Sequence, residues 1–436
     1  MRDTRVGAPP VWVVASLIGL LLVPFYLATS TGATQSIDAA ASALPAWSLA
    51  REGNPYLDEV GHLNRWLVTG AHGHIVSNRF PGSALLATPV YFLLGARSSA
   101  KPTVFPGNVT AALAASLFVA LLVVLLAPLL GLRRAVLTAA FVGLATPTWS
   151  VASDALWPHA PGQAVLVLLM LTLSRRKWWW SVPLLLTAVL VRPILVVVSP
   201  VLAVHHLLRG QRAAASASLL GGAAGLAALA GWNHLLFGSW SLTAGYGNIR
   251  EPDALPVLGE LVQLPVVLFS PLRGVLVLTP VLLLCCVGLR SAWSTAPDWV
   301  KTSAVAGGLV LVGTFQLTPA AGGDGYYGYR LPLEGLSLLV PLLALAHRSW
   351  LDGPAWRRTC TIVAVVWSAA STASGAVLYR PHVEHYNVWT EFDLALLVRH
   401  EGLRPVLLVT AGAIGAVLTL AKRGRRHRTE QTSAVA

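Results

Sequence analysis

Asn108-Val-Thr-Ala-Ala-Leu-Ala-Ala-Ser-Leu-Phe-Val-Ala-Leu-Leu-Val-Val-Leu-Leu-Ala-Pro-Leu-Leu130 contains no charged side chain. Crossing the hydrocarbon core of a bilayer takes roughly 20 apolar residues of helix, and this run is long enough. In lipid every backbone amide must be satisfied within its own segment, so the run is expected to be helical. Val11 to Leu27, Ala213 to Leu236 and Thr361 to Leu378 repeat the pattern, and 55% of the chain is apolar against 11% charged. The runs are continuous rather than alternating, which argues against a barrel. The expected fold class is all-α, a polytopic transmembrane helical bundle of about 12 to 13 spans.

The formal net charge of +13 would suggest nucleic acid in a soluble protein. Here the basic residues sit at short turns: Arg133-Arg134, Arg175-Arg176-Lys177, Arg209 with Arg212, Arg348 with Arg357-Arg358, and Lys422 to Arg428. Such clusters stay on the cytoplasmic side, so the charge reads as membrane orientation, with lipid and no nucleic acid as partner. Cys285, Cys286 and Cys360 lie in or beside apolar runs and read as small buried hydrophobes. Arg2 and Arg5 before the first run read as the inner flank of an uncleaved signal anchor.

If Arg2 and Arg5 remain inside, the first span ends outside at about Ser30. A polar loop, residues 31–80, follows. Within it Ala39 to Arg51 has helical composition and Gly53-Asn-Pro55 stops it, which predicts a short surface helix. Pro81 to Ala96 is apolar but short. A partial or re-entrant segment there leaves Arg133-Arg134 and every later basic cluster inside, and that arrangement is preferred. Later spans then alternate regularly, with Ser181 to His206 turning at Arg192-Pro193. The expected organisation is one membrane domain, residues 1–421, and a basic cytoplasmic tail, residues 422–436.

With this topology Asp38, Arg79, Asp154, His159, Arg192, Asn233, Arg273, Asp324 and Arg330 all fall at the outer ends of spans. Charges at membrane depth line a cavity or pair with each other, and this set combines carboxylates with cations. Asp38 can serve as a general base toward a hydroxyl, or it can cap the helix that follows, a task Ser36 could equally perform. Arg192, beside a proline at a hairpin tip, suits a phosphate or a pair with Asp154. Arg273 and Arg330 can bind an anion or snorkel to the interface. Tyr326, Tyr327 and Tyr329 can stack on a sugar or form an aromatic belt. His382-Val-Glu-His385 and His72-Gly-His74 lack the i, i+4 spacing of a helical zinc site, so no metal is expected. There is no Walker loop, dinucleotide fingerprint or Gly-x-Ser-x-Gly elbow, so no cofactor is expected and group transfer must draw on an activated substrate.

Asp38 after the first span, Arg79-Phe-Pro-Gly82, Asp154-Ala-Leu-Trp-Pro-His159, Val191-Arg-Pro193, Trp232-Asn-His-Leu-Leu-Phe-Gly238, Ser270-Pro-Leu-Arg-Gly274 and Gly325-Tyr-Tyr-Gly-Tyr-Arg330 occur in that order. Together they resemble the GT-C superfamily, the polytopic glycosyltransferases that use polyprenyl-phosphate-linked sugars. The resemblance implies inverting transfer of a sugar from a polyprenyl-phosphate donor to a glycan or lipid acceptor at the extracytoplasmic face of the cell membrane. It implies Asp38 as base, with Asp58 and Glu59 as rivals, and Arg192, Arg273 and Arg330 on the donor phosphate. Arg79, Asp154, His159, Asn233 and Tyr329 are the implied substrate-lining residues. Many relatives carry two adjacent acidic residues in this loop, whereas Asp38 stands alone, and there is no large soluble C-terminal domain. A lipid-linked sugar flippase or transporter is the alternative class, and a glycan polymerase or ligase using lipid-linked glycans is a third.

Overall fold

Apolar runs that cannot leave backbone amides unbonded fold as helices, and the computed structural model consists almost wholly of them. It describes residues 9–30, 36–63, 66–95, 101–246, 263–317, 326–380, 387 and 389–433. Asp324, His382 and His385 lie outside the described residues. Among the described residues four helices are long and apolar enough to cross a membrane: α1 (Val11–Thr29), α4 (Phe105–Leu130), α9 (Arg212–Phe237) and α15 (Ala355–Leu378). Shorter apolar helices pack among them, including α3 (Pro81–Leu93), α6 (His159–Ser174), α7 (Ser181–Val191), α8 (Val198–Leu208) and α12 (Val281–Thr295). The chain is thus an all-α, polytopic integral membrane protein. The remaining helices are α2 (Ile37–Glu52), α5 (Leu132–Leu144), α10 (Gln263–Phe269), α11 (Val275–Leu278), α13 (Asp298–Leu317), α14 (Leu333–Leu351), α16 (Asp393–Glu401) and α17 (Leu403–Ser433). Helix α17 continues past Lys422 as far as Ser433.

Helix pairs approach through small residues, the usual device where lipid gives no hydrophobic drive for helices to associate. Gly221 and Gly225 of α9 abut Leu185 and Val189 of α7, so the two helices run in the same direction. Ser199 of α8 donates to the Ser218 carbonyl of α9 at 2.7 Å, while the chain turns at residues 209–211 between them, so α8 runs back. Arg192-Pro193 therefore lies at a turn, as expected. Gly288 of α12 packs directly on the Ala346 carbonyl of α14. The main core gathers Phe118, Leu122 and Leu126 of α4 with Leu166, Leu169 and Met170 of α6.

Helix α3 does not cross the bundle. Gly82 at its start abuts Val191, and Tyr91 near its end donates to the Thr103 carbonyl at 2.9 Å, just before α4. An ideal Cβ on Gly107 of α4 would lie 3.0 Å from Ala43 of α2 and 3.3 Å from the Tyr91 hydroxyl, so both ends of α3 meet the same end of the bundle. The expectation of a partial segment is met.

The first loop folds as the sequence predicts over α2, which stops where Gly53 takes φ +75° and its N–H bonds the Leu49 carbonyl. The helix is not bare: residues 41–48 are all buried, against α3 and a small hairpin. That hairpin, β1 (Leu67–Thr69) with β2 (Ile75–Ser77), pairs antiparallel in the register Leu67↔Ser77 and was not anticipated from the sequence. Its turn is fastened to α9 by the Ala71 N–H and the Leu236 carbonyl at 2.9 Å.

Candidate active site

The site is built where α1 delivers the chain to α2. Ser36 caps α2, its hydroxyl accepting from the Asp38 N–H at 3.2 Å. That settles the rivalry between Asp38 and Ser36 for the capping role: the Asp38 carboxylate is left for other partners. It accepts from two guanidiniums, Arg79 on one oxygen and Arg330 on the other, the latter at 3.1 Å. All three side chains retain some exposure, from 14 to 17%. The two arginines are held in turn by aromatic rings. The Arg79 guanidinium carbon lies 3.8 Å from the Trp66 ring centre, and that of Arg330 lies 4.5 Å from Trp157 and 4.6 Å from Tyr326. Stacking of this kind fixes a planar cation while its N–H edge stays available for an anion. Arg79 also borders a groove walled by Pro45, Phe80, Pro81, Trp232 and Leu236.

A second ionic group lies alongside. Glu334, fully buried in the first turn of α14, accepts from Arg192 through one oxygen and faces His159 Nδ1 at 2.9 Å through the other. Arg192 also donates to the Leu331 carbonyl at 3.3 Å. Arg192 is thus paired, but with Glu334 and not with Asp154. Glu334 was absent from the sequence-derived set. Its signal was present: a lone carboxylate four positions after Arg330 in an otherwise apolar span.

Arg273 lies deeper. It is 4% exposed, and its Nη1 lies 3.2 Å from each carboxylate oxygen of Asp393 and 3.3 Å from the Gly328 carbonyl. Asp393 also accepts the Gly328 N–H at 2.7 Å. Burial pushes its carboxyl up to about 6, against the opposing effects of Arg273 and the Gly328 N–H. The Arg273 guanidinium carbon lies 4.4 Å from the Tyr326 ring, so Tyr326 bridges this pair to Arg330. Asp393 was also missed, because its loop gave no motif.

The remaining predicted residues are placed as follows. Asp58 bonds the Ile75 N–H and His74 Nδ1, both at 2.7 Å, and these contacts hold its carboxyl below the usual range. Glu59 pairs with Arg51 at 2.6 Å. Both rivals of Asp38 are about half exposed and tie the loop together. Asp154 is buried, its carbonyl accepting from the Ser30 hydroxyl at 2.9 Å, which joins the end of α1 to the turn before α6. Asn233 donates to the Ser241 carbonyl at 2.8 Å. The Tyr329 hydroxyl pairs with that of Thr279 at 2.9 Å inside the core, so neither a sugar platform nor an interfacial belt describes it. Among the described residues no group of three or more metal-ligating side chains occurs.

The basic turns lie at the other end of the bundle. Arg134 and Arg348 meet Asp352 and the Leu129 carbonyl where α4 ends, and Arg209 pairs with Asp298 where α8 ends.

No family model matches the chain, and no curated protein matches it. Among solved structures it is similar to the crystal structure of ArnT from Cupriavidus metallidurans bound to undecaprenyl phosphate. Identity is 16% and the TM-score 0.48, over 94% of this chain and 76% of that one. Likeness at that level assigns no chemistry to any residue.

Proposed function

We propose that the protein is an integral-membrane glycosyltransferase that moves a sugar, with inversion, from a polyprenyl-phosphate donor to a glycan or lipid acceptor at the extracytoplasmic face. The observation that carries this reading is Asp38, released from capping by Ser36 and held between Arg79 and Arg330. One carboxylate beside two stacked guanidiniums combines the two functions that transfer needs, proton removal and neutralisation of a leaving phosphate. The acceptor hydroxyl attacks the anomeric carbon as Asp38 takes its proton. The bond from that carbon to the phosphate oxygen breaks, and the lipid phosphate leaves with the electron pair.

Both Asp38 oxygens accept from arginine here, and each keeps a second lone pair that an acceptor hydroxyl can meet, so the base and the two guanidiniums can serve acceptor and donor side by side. This assigns the phosphate to Arg79 and Arg330. Arg192 and Arg273, each committed to a buried carboxylate, support the site from behind. Pro45, Phe80, Pro81, Trp232 and Leu236 give the surface beside Arg79 an apolar lining. Charge supports the extracytoplasmic side: the site lies opposite the basic turns, and clusters of that kind favour the cytoplasm.

Asp38→Asn tests the reading. Assayed in detergent with a radiolabelled polyprenyl-phosphate sugar, it should lower turnover by about 10²- to 10⁴-fold, the usual worth of a general base, with donor binding retained. Asp58→Asn and Glu59→Gln should turn over as wild type does. Full turnover in Asp38→Asn refutes the assignment of Asp38 as base, whereas a wild-type chain that moves the sugar lipid intact and shows no turnover favours a lipid-sugar transporter, which needs no base.

A further inference from the structure

The segment from Tyr326 to Arg330 is seated residue by residue. Tyr326 lies between the guanidiniums of Arg273 and Arg330. Tyr327 packs its ring directly on Gly375 of α15, and its hydroxyl pairs with Ser371 one turn away at 3.1 Å. The Tyr327 carbonyl accepts from the Ser150 hydroxyl at 3.3 Å. Gly328 takes φ +85°, which turns its N–H onto Asp393 and its carbonyl onto Arg273. Tyr329 turns into the core, and Arg330 emerges to meet Asp38. Asp393, in the first turn of α16 and 2% exposed, supplies the carboxylate of this arrangement, while Leu397 of the same helix packs with Tyr327.

We infer that Asp393 is a positioning residue for the donor site: by holding Arg273 and the Gly328 N–H together it fixes Tyr326 and Gly328, and so the direction in which Arg330 reaches the substrate. Asp393 bonds Arg273 and the Gly328 N–H and acts on Asp38 only through Arg330. Its two acceptor oxygens bond one side chain and one backbone N–H from separate segments, at Arg273 and Gly328, so it can clamp them to each other. The chain of contact is continuous: Asp393 to Arg273, Arg273 to Tyr326, Tyr326 to Arg330, Arg330 to Asp38. The inference rests on the donor role given to Arg330 above.

The test is equilibrium binding of undecaprenyl phosphate to the full chain in detergent, read by ligand-induced thermal stabilisation, for wild type, Asp393→Asn, Gly328→Ala and Arg330→Met. Asp393→Asn keeps an acceptor for Gly328 but no longer neutralises Arg273, and it should weaken affinity about tenfold or more, toward the loss seen in Arg330→Met. Gly328→Ala leaves the ion pair in place but strains the left-handed turn, and it should weaken affinity in the same direction even if Asp393→Asn does not fold. A purely structural role predicts a lower melting temperature for Asp393→Asn with affinity within twofold of wild type; that result, beside a weakened Arg330→Met, overturns the inference alone. Wild-type affinity in Arg330→Met overturns the donor role of Arg330, and this inference with it.

Discussion

Replacing Glu334 by Gln removes one charge and almost no volume. Glu334 has no exposed surface, and its two partners, Arg192 and His159, are 12 and 3% exposed. An ideal Cβ on Gly162 would lie 3.2 Å from Glu334 Cγ, so helix α6 closes the space behind the carboxylate and the side chain cannot swing out to water. The amide can still accept from Arg192, but the buried guanidinium is left without its countercharge. Breaking a buried pair in this way costs about 3–5 kcal/mol. The control is Glu59→Gln, whose pair with Arg51 is half exposed and worth about 0–1 kcal/mol. At about 1 °C per kcal/mol for a chain of this size, the two variants should separate, by a drop of about 3–5 °C against about 1 °C or less. Intrinsic fluorescence melts in one detergent at one scan rate measure this, the rate being fixed because membrane proteins unfold irreversibly. A Glu334→Gln variant melting within 2 °C of wild type would refute the claim that this pair is a buried strut.

Arg192→Ala should lower the melting temperature by an amount comparable to Glu334→Gln, and the double variant should lower it by less than the sum, with a coupling of about 1 kcal/mol or more; additive losses count against the pair. Gly82→Ala places a methyl against the backbone at Leu190 and Val191, so it should displace α3 from α7, reduce the yield of folded protein and disturb Arg79; wild-type yield and activity would show that the contact yields easily. Lowering the pH from 7 to 5 should protonate Asp393, whose folded-state carboxyl is pushed up to about 6 while facing Arg273, the Gly328 N–H and Tyr327. The folded chain then binds that proton more tightly than the unfolded chain, so the stabilisation from this group is present at low pH and lost as pH rises through about 6, while the ion pair to Arg273 exists only above it. Donor affinity should therefore fall across pH 6 in wild type, with no loss of stability traceable to Asp393 and with no such step in Asp393→Asn. Isothermal titration at both pH values checks this.

The glutamate and aspartate that anchor the arginines illustrate why a membrane sequence is easier to fold on paper than to equip with a mechanism. Hydrophobic length is a one-dimensional property, and the apolar runs foretold helices such as α1, α4, α9 and α15. Arg192 and Arg273 looked like anion ligands because an intramembrane cation demands a partner, and the sequence does not say whether that partner is substrate or protein. Their carboxylates lie 142 and 120 residues away.

By itself the sequence determined the helical class, the short reach of α3, the stop of α2 at Gly53 and the gathering of polar residues at one end, because each follows from local composition, glycine geometry or the bilayer's thickness. Tertiary structure alone decided which ions meet. It gave the cap to Ser36 and Asp38 to Arg79 and Arg330, committed Arg192 to Glu334 and Arg273 to Asp393, and turned Tyr329 into the core. A charge buried at membrane depth is satisfied by whichever opposite charge the packing of distant helices brings within about 3 Å, and no spacing along the chain encodes that encounter.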